Sequence, residues 1–141
     1  MNWKTTDMPS QHGRLAVVTG TGGLGLEDAL ALCRAGAEVV VAGRNAGKGA
    51  EAVATVRAAV PNARVRFEVV DLADLGSIRD FGARLAAQTG RLDLLINNAA
   101  VMTPPDRQVT ADGFELQFGT NYLGHFALTA ALLPLLKKTA G

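Results

Sequence analysis

The stretch Leu15–Ala29, LAVVTGTGGLGLEDA, decides how this chain folds. An apolar strand, Leu15–Thr19, runs into Gly20-Thr21-Gly22-Gly23-Leu24-Gly25, and an amphipathic helical pattern follows at once. Strand, glycine turn, helix is the arrangement that aims backbone N–H groups and a helix N-terminus at a diphosphate. The glycines divide the work. Gly20 permits the tight turn, Gly22 lets the backbone approach phosphate, and Gly25 lets the helix pack against the strand.

The rest of the chain repeats the alternation. Strands are expected at Leu15–Thr19, Glu38–Ala42, Val65–Val70 and Leu92–Asn97. Helices are expected at Gly23–Ala35, Ala46–Val60, Leu75–Gln88 and, as a last long one, Asp112–Lys137. Gly36, Pro61 and Gly90 stand at or just beyond helix ends, and Asn45, Asp74 and Ser77 are cap-type residues near helix starts. Such alternation means a parallel sheet with helices on both faces. The third strand sets Val65, Phe67 and Val69 against Arg66 and Glu68, a pattern that suits an edge. The second and fourth, with Val39-Val40-Val41 and Leu94-Leu95-Ile96, are near-continuous apolar runs that suit interior positions. A doubly wound α/β sheet of order 3-2-1-4 puts the third strand at one edge and leaves the fourth at the other, where Leu92, Leu94, Leu95 and Ile96 invite another strand.

Composition bounds the remaining possibilities. At 141 residues the chain reads as one domain, 14–141, behind a partly ordered lead-in, 1–13. It is 48% hydrophobic and 19% charged with a formal net charge of +1, which speaks for a globular chain and against nucleic-acid binding. No apolar run approaches the ~20 residues of a membrane helix, and MNWKTTDMPSQHG has no apolar signal core, so a cytoplasmic location follows by default. The single cysteine, Cys33, falls mid-helix as a small buried hydrophobe. With no Cys/His cluster, no metal site is expected.

Several motifs now fall in one order: Thr19-Gly20 at a strand end, Asp71-Leu72 after the third strand, Asn97-Asn98-Ala99-Ala100 after the fourth, and Asn121 in the long helix. In this the chain resembles the short-chain dehydrogenase/reductases from Gly13 onward. The stretch DGFELQFGTNYLGHFAL, Asp112–Leu128, looks most like the retinol-dehydrogenase-like and protochlorophyllide-reductase-like branch. The resemblance implies a Rossmann-type sheet and hydride transfer between a nicotinamide cofactor and a small alcohol or carbonyl. It also implies that Asp71 accepts from the adenine amino group with Leu72 beside the ring; the alternative is that Asp71 only caps the following turn. Asn98, Ala99 and Ala100 let a flat sugar lie against backbone, although the family usually has Gly where Ala100 stands. Asn97 is expected to bond the sheet's own backbone. Asn121 matches a catalytic position at which the family's asparagine interrupts the helix and holds a water in a proton relay; the alternative is a polar residue on a crowded helix face. Tyr122 and His125, among Phe114, Phe118, Phe126 and Leu133, are read as packing residues.

Arg44 bears on cofactor choice. An NAD-selective site carries an acid at the end of the second strand, and here the sequence reads Ala42-Gly43-Arg44-Asn45. An arginine fork suits a 2′-phosphate, so NADP(H) is expected over NAD(H); the alternative is a solvated arginine at the start of the second helix. Two departures from the family pattern stand out. Thr19–Gly25 is one residue shorter than the family's T-G-x-x-x-G-x-G, a change that turns the helix by about 100° unless the loop absorbs it. And the residues reach Gly141 before the family's serine and Tyr-x-x-x-Lys; the one tyrosine, Tyr122, is followed four positions on by Phe126 rather than lysine. The chain therefore reads as the cofactor-binding portion of a reductase, inactive by itself and open to homo-oligomer formation. A non-catalytic dinucleotide-binding or partner-docking module is the competing reading.

Overall fold

The computed structural model describes residues 2–139. Four strands, β1 (Leu15–Thr19), β2 (Glu38–Gly43), β3 (Arg64–Val69) and β4 (Leu94–Ile96), form a parallel sheet in the order β3-β2-β1-β4. Helices α1 (Gly23–Arg34), α2 (Ala46–Ala59), α3 (Leu75–Gln88) and α4 (His125–Thr139) flank it, and a π-helical segment, Phe118–Gly124, leads into α4. This is the doubly wound, Rossmann-type arrangement.

The alternation of side chains across β1 and β2 divides the core in two. Val17, Val40 and Ala42 pack on one face with Phe81 and Leu85 of α3 and Leu128 and Leu132 of α4. Ala16, Val18, Val39 and Val41 pack on the other with Ala29 and Leu32 of α1 and Ala52 and Val56 of α2. Both faces being covered explains why β1 and the middle of β2 are wholly buried and wholly apolar apart from Thr19. Register places Val17 between Val40 and Leu95.

Caps fix where the helices begin. The Asn45 side chain accepts from Lys48 N–H, and that of Asp74 accepts from Gly76 and Ser77 N–H. Ser77 is not a cap; its hydroxyl instead accepts from the Asp71 N–H at 2.9 Å. Helices α1 and α2 each end one residue sooner than the sequence suggested, while β2 runs on to Gly43.

Three expectations need correcting. Strand β3 runs one residue earlier than expected, and its last alternating apolar residue, Val69, is 47% exposed because the chain has already left the sheet's covered part. Strand β4 is shorter than expected; Leu92 lies before it and is fully buried, so the half-buried edge consists of Leu94, Leu95 and Ile96 alone. The long helix does not begin at Asp112. Gly113 turns the chain at φ +85°, and the Glu115 carboxylate accepts from the Phe118 and Gln117 N–H groups at 2.8 and 2.9 Å. Those bonds make Glu115 the cap, and they hold its carboxyl below the usual carboxylate range.

At the opposite end of the sheet, Asp93 joins the start of β1 to the turn before β4. Its carboxylate accepts from Leu15 N–H at 2.8 Å and from the Arg91 guanidinium at 2.5 and 3.2 Å. Burial pushes this carboxyl up, but the Arg91 hydrogen bonds, the Leu15 N–H and the charges of Arg91 and Arg14 together outweigh it and leave it lowered. A carboxyl lowered by folding contributes stability above its unfolded value of about 3.9, and that contribution is lost as pH falls through the folded value. Asp93→Asn is therefore expected to destabilise the protein at pH 7, with the gap to the unmutated chain closing on acidification below about pH 4. Urea unfolding at a series of pH values measures it; a gap independent of pH would show that Asp93 acts by shape alone.

Candidate functional site

The carboxyl ends of β1, β2, β3 and the exit of β4 open into one cleft of about 390 Å³. Its lining unites most of the residues singled out by the sequence: Gly20, Thr21, Gly22, Arg44, Asp71, Leu72, Asn98, Ala99 and Ala100. A crevice at the strand ends where the winding reverses is the expected ligand position of an open α/β sheet.

The glycine loop forms one wall. Gly20 takes φ +101°, which a side chain rarely adopts, and its N–H donates to the Ala42 carbonyl at 2.8 Å. At Gly22, the residue before α1, an added Cβ meets nothing within 4 Å, so none of the described residues claims the space above it. Gly25 has a different neighbour from the one expected. A Cβ there would stand 2.5 Å from the Asn98 amide nitrogen and 3.3 Å from the Gly20 carbonyl, so this glycine clears room for the β4 exit rather than for a strand. Gly23 and Gly25 do not line the cleft, and neither does Leu24, whose side chain is 76% exposed.

Of the two asparagines after β4, the second takes the structural role expected of the first and keeps its place in the cleft lining. Asn98, not Asn97, bonds the sheet: its side chain donates to the Thr19 carbonyl at 3.0 Å, and its N–H donates to the Thr19 hydroxyl at 2.9 Å. Asn97 is exposed and donates to the Thr129 hydroxyl at 3.1 Å. Asp71 uses Oδ1 to accept from Ala73 N–H at 2.9 Å, the local turn that its alternative reading implied, and Oδ2 has no hydrogen-bond partner among the described residues. Asn121 stands outside the lining yet shapes it. Its amide accepts from Val101 N–H and donates to the Val101 carbonyl at 2.8 and 2.9 Å, and Val101 lines the cleft. The helix is indeed interrupted here: Asn121 lies at the middle of the π-helical segment.

At the β2 end of the cleft Arg44 has company. Asn45 and Lys48 also line it, and neither Arg44 nor Lys48 makes an ion pair among the described residues. Two free cations beside the capped N-terminus of α2 suit an anion. Lys48 was missed because in sequence it is an ordinary first-turn lysine. Thr120 was missed as well; it is buried, lines the cleft, and its hydroxyl has no partner among the described residues.

The group read as packing residues divides. Phe118, Tyr122 and Phe126 recur every four residues but lie 53%, 59% and 67% exposed, with the Phe118 and Tyr122 rings stacked at 5.4 Å. Phe114 and Leu133 are exposed too. Their period is helical, but the face they occupy points away from the sheet. His125 alone is buried, and it is held by polar contacts.

Comparison with known proteins agrees with this architecture. The family model described as short chain dehydrogenase matches residues 14–141. Polyprenol dehydrogenase of Danio rerio is 43% identical over 139 residues, covering 98% of this chain and 43% of the relative. Retinol dehydrogenase 13 of Mus musculus is 46% identical over 129 residues, covering 91% of this chain and 38% of the relative. Among solved structures, the RhlG/NADP active-site complex of Pseudomonas aeruginosa superposes with a TM-score of 0.78 at 32% identity, covering 94% of this chain and 50% of that one. The chain thus spans well under half the length of the curated relatives it matches. With the sheet order, the cleft and a family match across nearly its whole length in agreement, the chain belongs to the short-chain dehydrogenase family.

Proposed function

We propose that these residues form the cofactor-binding portion of an oxidoreductase that uses NADP(H) in preference to NAD(H) and acts on a small alcohol or carbonyl. The observation that carries the reading is the cleft itself: a glycine loop with unclaimed space above Gly22 at one side, and the unpaired Arg44 and Lys48 at the other. The donor set fits a dinucleotide. Thr21 and Gly22 bring backbone N–H groups and the start of α1 to the diphosphate despite the shortened loop, while the Gly20 N–H stays with the Ala42 carbonyl and Gly20 serves the turn. Arg44 and Lys48 hold the 2′-phosphate, and the sequence at the end of β2, Ala42-Gly43-Arg44-Asn45, carries no acid to repel it. Asp71 presents Oδ2 to the adenine amino group with Leu72 against the ring, and Asn98, Ala99 and Ala100 form the surface on which the ribose lies.

A nicotinamide held in this cleft would supply or accept the hydride. The chain's own part is to orient it and to manage a proton. Asn121, fixed by Val101, would hold the water of a proton relay, a positioning task rather than proton donation. The only tyrosine in these residues, Tyr122, is 59% exposed on the outer face of the π-helical segment and has no lysine four positions on. The 141 residues alone are therefore expected to bind cofactor without turnover. The half-buried edge of β4 and the Phe118–Tyr122–Phe126 face support association with further copies.

The test is a titration of the chain with NADPH and NADH, alongside Gly22→Val. Because the extended backbone at Gly22 accepts a side chain and nothing stands within 4 Å, valine is expected to leave folding and far-UV circular dichroism unchanged. It should abolish dinucleotide binding by occupying the diphosphate's place. Equal affinity of the valine variant and the unmutated chain would overturn the assignment of the loop.

A further inference from the structure

The buried ring of His125 meets two partners at the two ends of its imidazole. Nε2 lies 2.9 Å from the Thr19 hydroxyl, and Nδ1 lies 3.0 Å from the Asn121 carbonyl. His125 is 8% exposed and Thr19 is fully buried, so each group must be satisfied by protein. Partner chemistry then fixes every proton. A hydroxyl has one donor and two acceptor positions. The Thr19 oxygen already accepts from Asn98 N–H at 2.9 Å and Ala99 N–H at 3.0 Å, which fills both acceptors. Its one proton must be donated. The Ile96 carbonyl, at 3.4 Å, is long for an O–H donor, whereas His125 Nε2 is well placed. Nε2 is therefore an acceptor without a proton. At the other end the Asn121 carbonyl only accepts, so Nδ1 carries the proton. Both ends independently give the same neutral tautomer.

The bonds form a single path. Asn98 and Ala99, in the cleft lining, rest on Thr19; Thr19 rests on His125; His125 rests on the Asn121 carbonyl; and the Asn121 side chain returns to Val101, again in the lining. The helix end of the same path is fixed where the Thr129 hydroxyl donates to the His125 carbonyl at 2.8 Å while accepting from Asn97. A carbon side chain of equal volume fills the space but leaves Thr19 without its acceptor and the loop with one fewer tie. We infer that His125, as its Nδ1–H tautomer, is a positioning residue that locks the β4 exit loop, Asn98–Val101, to the π-helical turn and so holds the floor of the cleft in shape for its ligand. The benefit to a dinucleotide rests on the functional reading above; the locking of the loop does not.

The experiment separates the two. Long-range ¹H–¹⁵N correlation on the unmutated chain is expected to show a protonated Nδ1 and a bare Nε2 at His125. The opposite tautomer, or an imidazolium, overturns the inference. Two variants then test the path: glutamine reproduces the Nε2 position and asparagine the Nδ1 position. His125→Asn is expected to lower amide-exchange protection at Asn98 and Ala99 by about tenfold, and His125→Gln to recover most of it by accepting from Thr19. Equal protection in both variants and the unmutated chain overturns the inference. NADPH affinity is expected to follow the same order. An unmutated chain with the expected tautomer and protection that binds no dinucleotide supports the lock and overturns the functional reading instead.

Discussion

Gly124→Ala is expected to lower folding stability by about 1–3 kcal/mol and to weaken dinucleotide binding by about tenfold or more in the molecules that still fold. Gly124 is buried in the last turn of the π-helical segment, and a Cβ on it would collide with the Leu72 carbonyl oxygen, at a separation real Cβ atoms essentially never show. A carbonyl in the main chain after β3 cannot rotate aside as a side chain does. Either the segment lifts, pulling Asn121 away from Val101, or Asp71-Leu72 shifts, and both are walls of the cleft. One methyl group thus tests whether the π-helical turn is seated against the site. Gly90→Ala is the control, because a Cβ at Gly90 meets nothing within 4 Å. Chemical unfolding and NADPH titration measure the pair. Gly124→Ala matching Gly90→Ala in both would mean that the two backbones part at no cost.

What the sequence reveals and what it conceals divide along the range of the interactions. The strand and helix alternation is local: β1 and β2 announce themselves by apolar runs, and α2 and α3 by the Asn45 and Asp74 caps that the structure shows in use. Strand ends in such a sheet converge, so Gly20, Arg44, Asp71 and Asn98 were legible as neighbours before any coordinates. The start of the long helix was not. Asp112 has the composition of a cap, but Gly113 reverses the chain and Glu115 supplies the cap from within. Nor does sequence say which of Asn97 and Asn98 reaches Thr19, since adjacent residues leaving a strand point to opposite sides. His125 looked like one more member of an aromatic helical stripe. Its partner Thr19 stands 106 positions away, and only the fold brings an acceptor-saturated hydroxyl to its Nε2. The stripe itself was misplaced for a similar reason: a helical period marks a face, not what the face meets.

Arg44→Asp should invert cofactor preference. In the unmutated chain, NADPH is expected to bind more tightly than NADH because a 2′-phosphate in this cleft would meet a guanidinium fork, the Lys48 ammonium and the N-terminus of α2, where Asn45 has already capped one N–H. Removing Arg44 takes away a charged hydrogen bond worth about 1.5–3 kcal/mol, or roughly 10–150-fold in affinity for NADPH. Aspartate adds repulsion toward the phosphate and offers NADH an acceptor for its ribose 2′-hydroxyl, so the two effects move the ratio in the same direction. Lys48→Ala should lower NADPH affinity by less, since an ammonium on a flexible stem is a point charge rather than a fork. Both cations are exposed, so the preference should also shrink as salt rises. Fluorescence titration with both cofactors at two ionic strengths reads all of this at once. Equal affinity for NADPH and NADH in the unmutated chain would remove Arg44 from the role, whatever the variants then did.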